Sequence, residues 1–129
     1  MARFNFQEDH PPEEQDVVCP LTLTQNVIAG RWKIIILWHL SQRTRRFNEL
    51  QRLLPGISKG ILTRQLRELE EDGMVHREVY KEIPPKVEYS LTELGKKFNT
   101  VLDAMKDWGT GFMKKKIEEH NYTIQDEEL

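Results

Sequence analysis

Apolar positions along the chain recur with helical spacing, then alternate, then turn helical again, and each change of period marks an element. Residues 1–16 are polar, carry Pro11 and Pro12 and show no period, which predicts a flexible arm. Beyond Pro20, Thr22 stands three residues before Gln25, the spacing of a capping box at a helix start. That helix is expected to reach about Ala29 and end at Gly30. Residues 31–41 hold Trp32, Ile34, Ile35, Ile36, Leu37, Trp38 and Leu40, apolar nearly all round, as in a helix buried by its neighbours. The β-branched run 34–36 would also suit a strand, but the segment's length and lack of turn signals favour a helix.

Phe47, Leu50 and Leu54 fall at i, i+3 and i+7, and Pro55-Gly56 stops the helix they predict. Ser58 is placed to N-cap the next helix, whose apolar stripe is Leu62, Leu66 and Leu69 and whose end is Gly73. Two helices joined by a tight turn predict a helix-turn-helix. After Gly73 the period becomes two: Val75, Arg77, Val79 and Lys81 alternate with His76, Glu78 and Tyr80, and Val87, Tyr89 and Leu91 with Glu88 and Ser90. This is a β-hairpin with Pro84-Pro85 at its tip, the wing of a winged helix. Thr92 then caps a last long helix. Its Leu94, Phe98, Val101, Met105, Trp108 and Phe112 form a heptad seam that packs one helix along another. Gly109 and Gly111 should weaken its end, and the chain from about Asn121 should fray.

The expected fold class is mainly α with a small β-hairpin (α+β), a dimeric winged helix-turn-helix. Its organisation is an acidic flexible arm over 1–17, the winged domain with terminal dimerisation helices over 18–116, and an acidic tail over 117–129. A domain this small leaves too little core to cover about five turns of bulky apolar helix, so the seam is expected to meet a second copy.

The 129 residues are 38% apolar and 31% charged, a globular balance, and no apolar run approaches a membrane span. A lone cysteine, Cys19, excludes an intrachain disulfide, and no basic–apolar leader opens the chain, so the cytoplasm is expected. The net charge of −2 hides an uneven distribution. Residues 31–67 carry nine basic side chains against the single acid Glu49, between acidic ends. A local basic field of this kind suits a polyanion.

On the helix opening at Ser58, the inward leucine stripe leaves Lys59, Gly60, Thr63, Arg64 and Arg67 outward or at the flanks, where a major groove would be read. Ser58 itself opens a helix N-terminus, a place for a phosphate. Glu68, Glu70 and Glu71 would confine contact to the first two turns. Arg43, Arg45 and Arg46 suit backbone contacts, and Lys81 and Lys86 flank the wing tip. Double-stranded DNA is therefore the expected partner, with no cofactor and no membrane. Catalysis is remote: His10, His39, His76 and His120 stand in separate elements with no nucleophile–base spacing. A metal-responsive repressor would have to use Glu118, Glu119 and His120 in the tail. A winged helix acting only as a protein-interaction module is the remaining alternative.

Taken jointly, Cys19-Pro20, Gly30-Arg31-Trp32, Arg46-Phe47-Asn48-Glu49-Leu50, Gly56-Ile57-Ser58 and Leu66-Arg67-Glu68-Leu69-Glu70 resemble the HxlR family of transcriptional regulators. So does the stretch Pro84-Pro85-Lys86-Val87-Glu88-Tyr89-Ser90-Leu91-Thr92. The resemblance covers roughly residues 18–113. It implies dimers that bind pseudo-palindromic operators, usually to repress. Both terminal helices would lie in the interface, with Leu23 and Val27 contributing from the first. Family members often carry a basic residue where this chain has Gly60, so the operator sequence cannot be borrowed. Some members sense electrophiles or oxidants through a cysteine that Cys19 matches, which makes it a candidate thiol sensor. A small buried packing residue is the other reading of Cys19.

Overall fold

The structure, a computed structural model, describes residues 19–120; the expected arm and the tail past His120 lie outside the described residues. Helix α1 spans Pro20–Val27, with Cys19 at its N-cap and Pro20 in its first turn. Thr22 is therefore inside the helix, not its cap as the sequence suggested. Proline has the fixed φ that a first turn needs and no amide to leave unpaired, so it sets the start. The helix also stops short of Ala29, at Val27.

Helix α2 is Lys33–Gln42, and β1 is the two-residue strand Arg45–Arg46. Helix α3 follows as Phe47–Leu53 and α4 as Lys59–Glu71. Strands β2, Val75–Tyr80, and β3, Lys86–Leu91, form the hairpin. They extend to a three-stranded antiparallel sheet because β1 pairs with β3, Arg45 opposite Tyr89. The sequence pattern missed β1, since two residues carry no alternation.

The predicted last helix is two helices, α5, Glu93–Lys97, and α6, Asn99–His120, interrupted at Phe98. The heptad spacing reads straight through Phe98 because it records side-chain positions, not continuity of backbone hydrogen bonds. Helix α6 contains Gly109 and Gly111, runs to His120 and takes in the first residues of the expected tail. The chain divides into two compact units, one through Lys96 and one from Lys97.

In the first unit, Ile36, Leu37 and Leu40 of α2, Leu50 of α3, and Leu62, Leu66 and Leu69 of α4 are buried. Leu54 and Ile57 join them from the α3–α4 turn, and Val75, Tyr89 and Leu91 from the sheet root. The expected leucine stripe of α4 is thus its inward face. Ser58 caps that helix as expected, its Oγ accepting from the Ile61 amide at 3.1 Å. Gly73 ends it at φ +77°, donating to the Glu70 carbonyl, while the Met74 amide reaches Leu69. This is a Schellman ending, and the left-handed conformation is one that side chains other than glycine resist. Thr92 closes the fold behind the wing. Its hydroxyl donates to the Gly73 carbonyl and accepts the Gly95 amide, and its own amide donates to Met74. Gly95 passes so close to Met74 that a Cβ would strike the Met74 carbonyl oxygen.

Two polar contacts fix α4 across α2. Lys33 is completely buried and its ammonium lies 2.7 Å from Glu68 of α4. The Glu68 carboxylate supplies the compensating charge for that buried nitrogen. Buried Gln65, one turn earlier on α4, accepts the Trp32 amide at 3.2 Å through its Oε1. Lys33 is therefore not part of a surface basic field, and Glu68 does not face a phosphate; the sequence reading of both charges is corrected. The cause is their mutual neutralisation in a low-dielectric site.

Two measurements follow from this packing. Glu68→Ala strands a buried ammonium and should lower unfolding free energy by about 3–5 kcal/mol, whereas Lys33→Met leaves only a partly exposed carboxylate and should cost clearly less. Equal losses in urea titrations would contradict the ion pair. His39 is half-buried on α2 with an unpartnered Nδ1; burial, and then the Arg45 charge, hold its pKa below 6.5. Its folded form binds fewer protons than the unfolded chain, so stability should fall as pH drops below 6.5. His39→Gln should remove that decline between about pH 6.5 and pH 5, above the carboxylate range.

Candidate nucleic-acid interface

Helix α4 presents to solvent the residues its buried stripe leaves outside. Ser58, Lys59, Gly60, Ile61, Thr63, Arg64 and Arg67 are all exposed, while Leu62, Gln65, Leu66 and Leu69 are buried. The first two turns therefore form a basic outer face on a rigid backing. That rigidity matters, because a helix reading base edges has to hold its side chains in register with the groove. Thr63 is exposed, and its hydroxyl donates to the Lys59 carbonyl at 2.7 Å. Gly60 has open space around its Cα, so nothing in the fold requires glycine there.

Not all the expected bases are equally available. Arg43 is exposed but ion-paired with Glu49. That carboxylate also accepts the Arg46 amide at 3.0 Å, at the start of α3. The Arg46 amide first, then the charges of Arg43, Arg45 and Arg46, hold the Glu49 pKa below its usual 4.5, so it stays ionised among them. Arg45 is half-buried, its guanidinium donating to the His39 carbonyl and the Gln42 side chain at 3.4 Å each. Arg46 is exposed at the β1–α3 junction. Thus Arg43 and Arg45 brace the strand and helix around them, whereas Arg46 is exposed and outside those two contacts.

On the wing, Lys81 is exposed, as are Ile83, Pro84 and Pro85 at the tip, where Ile83–Pro84 is cis. Lys86 is half-buried over the Tyr80 ring, 4.7 Å from its centroid, and 3.8 Å from Glu88. Lys81 is the freer of the two bases the sequence singled out at the tip. The sequence reading passed over a further base. Arg77 of β2 lines a cleft of about 300 Å³ with Thr63, Arg67 and Glu70 of α4 and Tyr89 of β3. A signal was present, since Arg77 breaks the apolar phase set by Val75 and Val79.

Outside this surface, Cys19 is exposed and takes no part in the core of its own chain. Its side chain makes no capping hydrogen bond, yet the Thr22 and Leu21 amides and the Thr22 hydroxyl lower the thiol's pKa. Such electropositive helix ends favour thiolate, the reactive form. Leu23 and Val27 are half-buried on α1. On α5 Leu94 is exposed; on α6 Val101, Met105, Trp108 and Phe112 are too, with Trp108 and Phe112 stacked at 5.2 Å. Phe98, between the two helices, is half-buried. Glu118, Glu119 and His120 form the last turn of α6, not a loose tail, and among the described residues no three such side chains gather as a metal site. Among the same residues no helix is long and apolar enough to cross a membrane.

Known proteins resemble this chain in sequence and fold. The family model for the HxlR-like helix-turn-helix matches residues 27–117. The HTH-type transcriptional regulator YdeP of Bacillus subtilis is 56% identical over 91 residues, 70% of this chain and 71% of that protein. The solved structure of the redox regulator HypR in its reduced form superposes with a TM-score of 0.70 at 50% identity, covering 72% of this chain and 92% of that one. HypR in its oxidised form gives 0.69 at 52% identity, over 72% and 96%. Diamide-treated YodB from B. subtilis gives 0.63 at 34% identity, over 74% and 95%. With an exposed basic helix, a wing beside it and these matches, the chain belongs to the HxlR-like helix-turn-helix family and is a DNA-binding transcriptional regulator.

Proposed function

We propose that this regulator works in the cytoplasm as a homodimer on a pseudo-palindromic operator, as a repressor whose DNA affinity is set by the state of Cys19. The observation that carries the reading is the outer face of α4, with Lys59, Thr63, Arg64 and Arg67 exposed over a buried leucine stripe. Arg46 and Lys81 add backbone contacts from β1 and the wing. Arg43, Arg45 and Lys86 take part through the local structure they brace, and Ser58 by holding the start of α4.

A dimer is supported by the seam on α6. Val101, Met105, Trp108 and Phe112 are exposed at heptad spacing, and 71% of the Trp108 surface meets solvent. An apolar stripe of this length and spacing suits a second copy. Leu94 and Phe98 continue the spacing, and Leu23 and Val27 would contribute from α1. Two copies present two basic helices, which accounts for a two-fold operator. Thiol response is supported by an exposed, acidified Cys19 and by the likeness to HypR, solved reduced and oxidised, and to diamide-treated YodB. With one cysteine per chain, an oxidised form would join two copies or a copy and a small thiol.

Duplex binding should weaken linearly in log–log form with salt, at a slope of about −0.9 per phosphate neutralised; salt-independent binding, or none to any duplex including its own promoter, rejects the regulator reading. Trp108→Asp with Phe112→Asp should yield monomers in sedimentation and lower operator affinity by about 100-fold or more. A variant that stays dimeric removes α6 from the interface. Mild diamide should modify Cys19 and change operator affinity, and Cys19→Ser should abolish both effects. An unmodified Cys19 with binding unaltered rules the sensor out.

A further inference from the structure

We propose that the cleft between α4 and β2 seats a single phosphodiester of the DNA backbone, gripped by Arg67 from the helix and Arg77 from the wing. The proposal rests on the DNA-binding reading and adds to it a contact residue, Arg77, and a role for the space between the two elements. Arg77 stands against the pattern of its own strand pair. In the β2–β3 register Val75 pairs with Leu91, Arg77 with Tyr89 and Val79 with Val87. These residues share one face of the sheet, because side chains alternate along a strand. Every other member of the three pairs is apolar or aromatic, and Val75, Tyr89 and Leu91 are buried. An arginine at the middle of this face is out of phase with folding and so calls for another explanation.

Arg77 meets the outer face of α4. It lines the same cleft as Thr63, Arg67 and Glu70, successive outward turns of α4. Neither guanidinium is ion-paired among the described residues, although a carboxylate lies in the cleft with them. Two guanidinium charges against the Glu70 carboxylate leave one positive charge, the complement of one phosphodiester. A volume of about 300 Å³ holds a phosphate group with several waters. Guanidinium groups suit this ligand because they present paired N–H donors to phosphate oxygens.

A helix in the major groove and a hairpin reaching the neighbouring minor groove straddle the sugar–phosphate strand that divides them. The space between α4 and the wing stem is where that strand has to pass. Arg67 and Arg77 are therefore positioning contacts, holding the register in which the first turns of α4 meet the bases.

The test needs no operator, because a phosphate contact is blind to sequence. Full-length protein is titrated with a mixed-sequence duplex of about three helical turns over a range of salt. Arg67→Ala and Arg77→Ala should each weaken binding roughly tenfold per protomer. Because the two share one phosphate, the double variant should lower the salt slope by about 0.9 per protomer, not about 1.8. A drop near 1.8 means two separate phosphates and overturns the shared seat. Arg77→Ala binding like the unaltered protein, while Lys59→Ala and Arg64→Ala weaken it, sinks the seat and leaves the DNA-binding reading intact. Absence of duplex binding by the unaltered protein overturns both. Arg77→Gln is a second variant should the alanine form misfold, with urea midpoints confirming that each protein is folded.

Discussion

The orientation of α4 depends on a buried charge pair. Lys33 is enclosed by the core and faces Glu68 at 2.7 Å, so α2 and α4 are joined at that point. A leucine stripe alone fixes which side of a helix turns inward, but hydrophobic burial is not directional and tolerates sliding. An ion pair in a low-dielectric site loses its compensation if the helix slips by a turn. The Gln65–Trp32 hydrogen bond, one turn away, sets a second point of the same alignment. A recognition helix needs two such points, because a shift of a few ångströms would move every side chain relative to the bases.

The wing is built on a similar economy. Only Val75, Tyr89 and Leu91 at its root are buried, so most of the hairpin projects beyond the core. Its stem is held by β1, which pairs with β3, and by the Thr92 hydroxyl bridging Gly73 and Gly95. Residues Arg45 and His39 couple β1 to α2, and Glu49 gathers Arg43 and Arg46 around the start of α3. Several arginines that composition alone would assign to DNA thereby serve local structure first. The basic field left for a polyanion is smaller than the count of residues implies, but better directed, since it centres on the first turns of α4, Arg77 and Lys81.

The second unit repeats the theme of an uncovered surface. Helix α6 keeps large apolar groups exposed along one seam, with Trp108 stacked on Phe112 and Lys116 over the Phe112 ring at 5.6 Å. Packing within the side chains of one helix covers little of such a stripe. The gap between what the seam exposes and what it covers is the physical basis for the proposed second copy.

Periodicity in the sequence determined which segments are helices, where the hairpin lies and which residues form the core of α4. Ser58, Gly73 and Thr92 were legible as caps because capping is local chemistry, decided within four residues. The outward bases Lys59, Arg64 and Arg67 followed directly from the leucine stripe. What only the tertiary structure decided concerns partners distant in sequence. Lys33 is a core residue because Glu68, 35 positions away, neutralises it, and no local pattern announces that pairing. The short strand β1 exists because β3 is beside it, and the break at Phe98 leaves the heptad spacing untouched. Arg77 joins Arg67 only once the wing folds back along α4. Local spacing specifies which face of an element is apolar, whereas the state of a charge depends on what stands opposite it, and that is set by the fold.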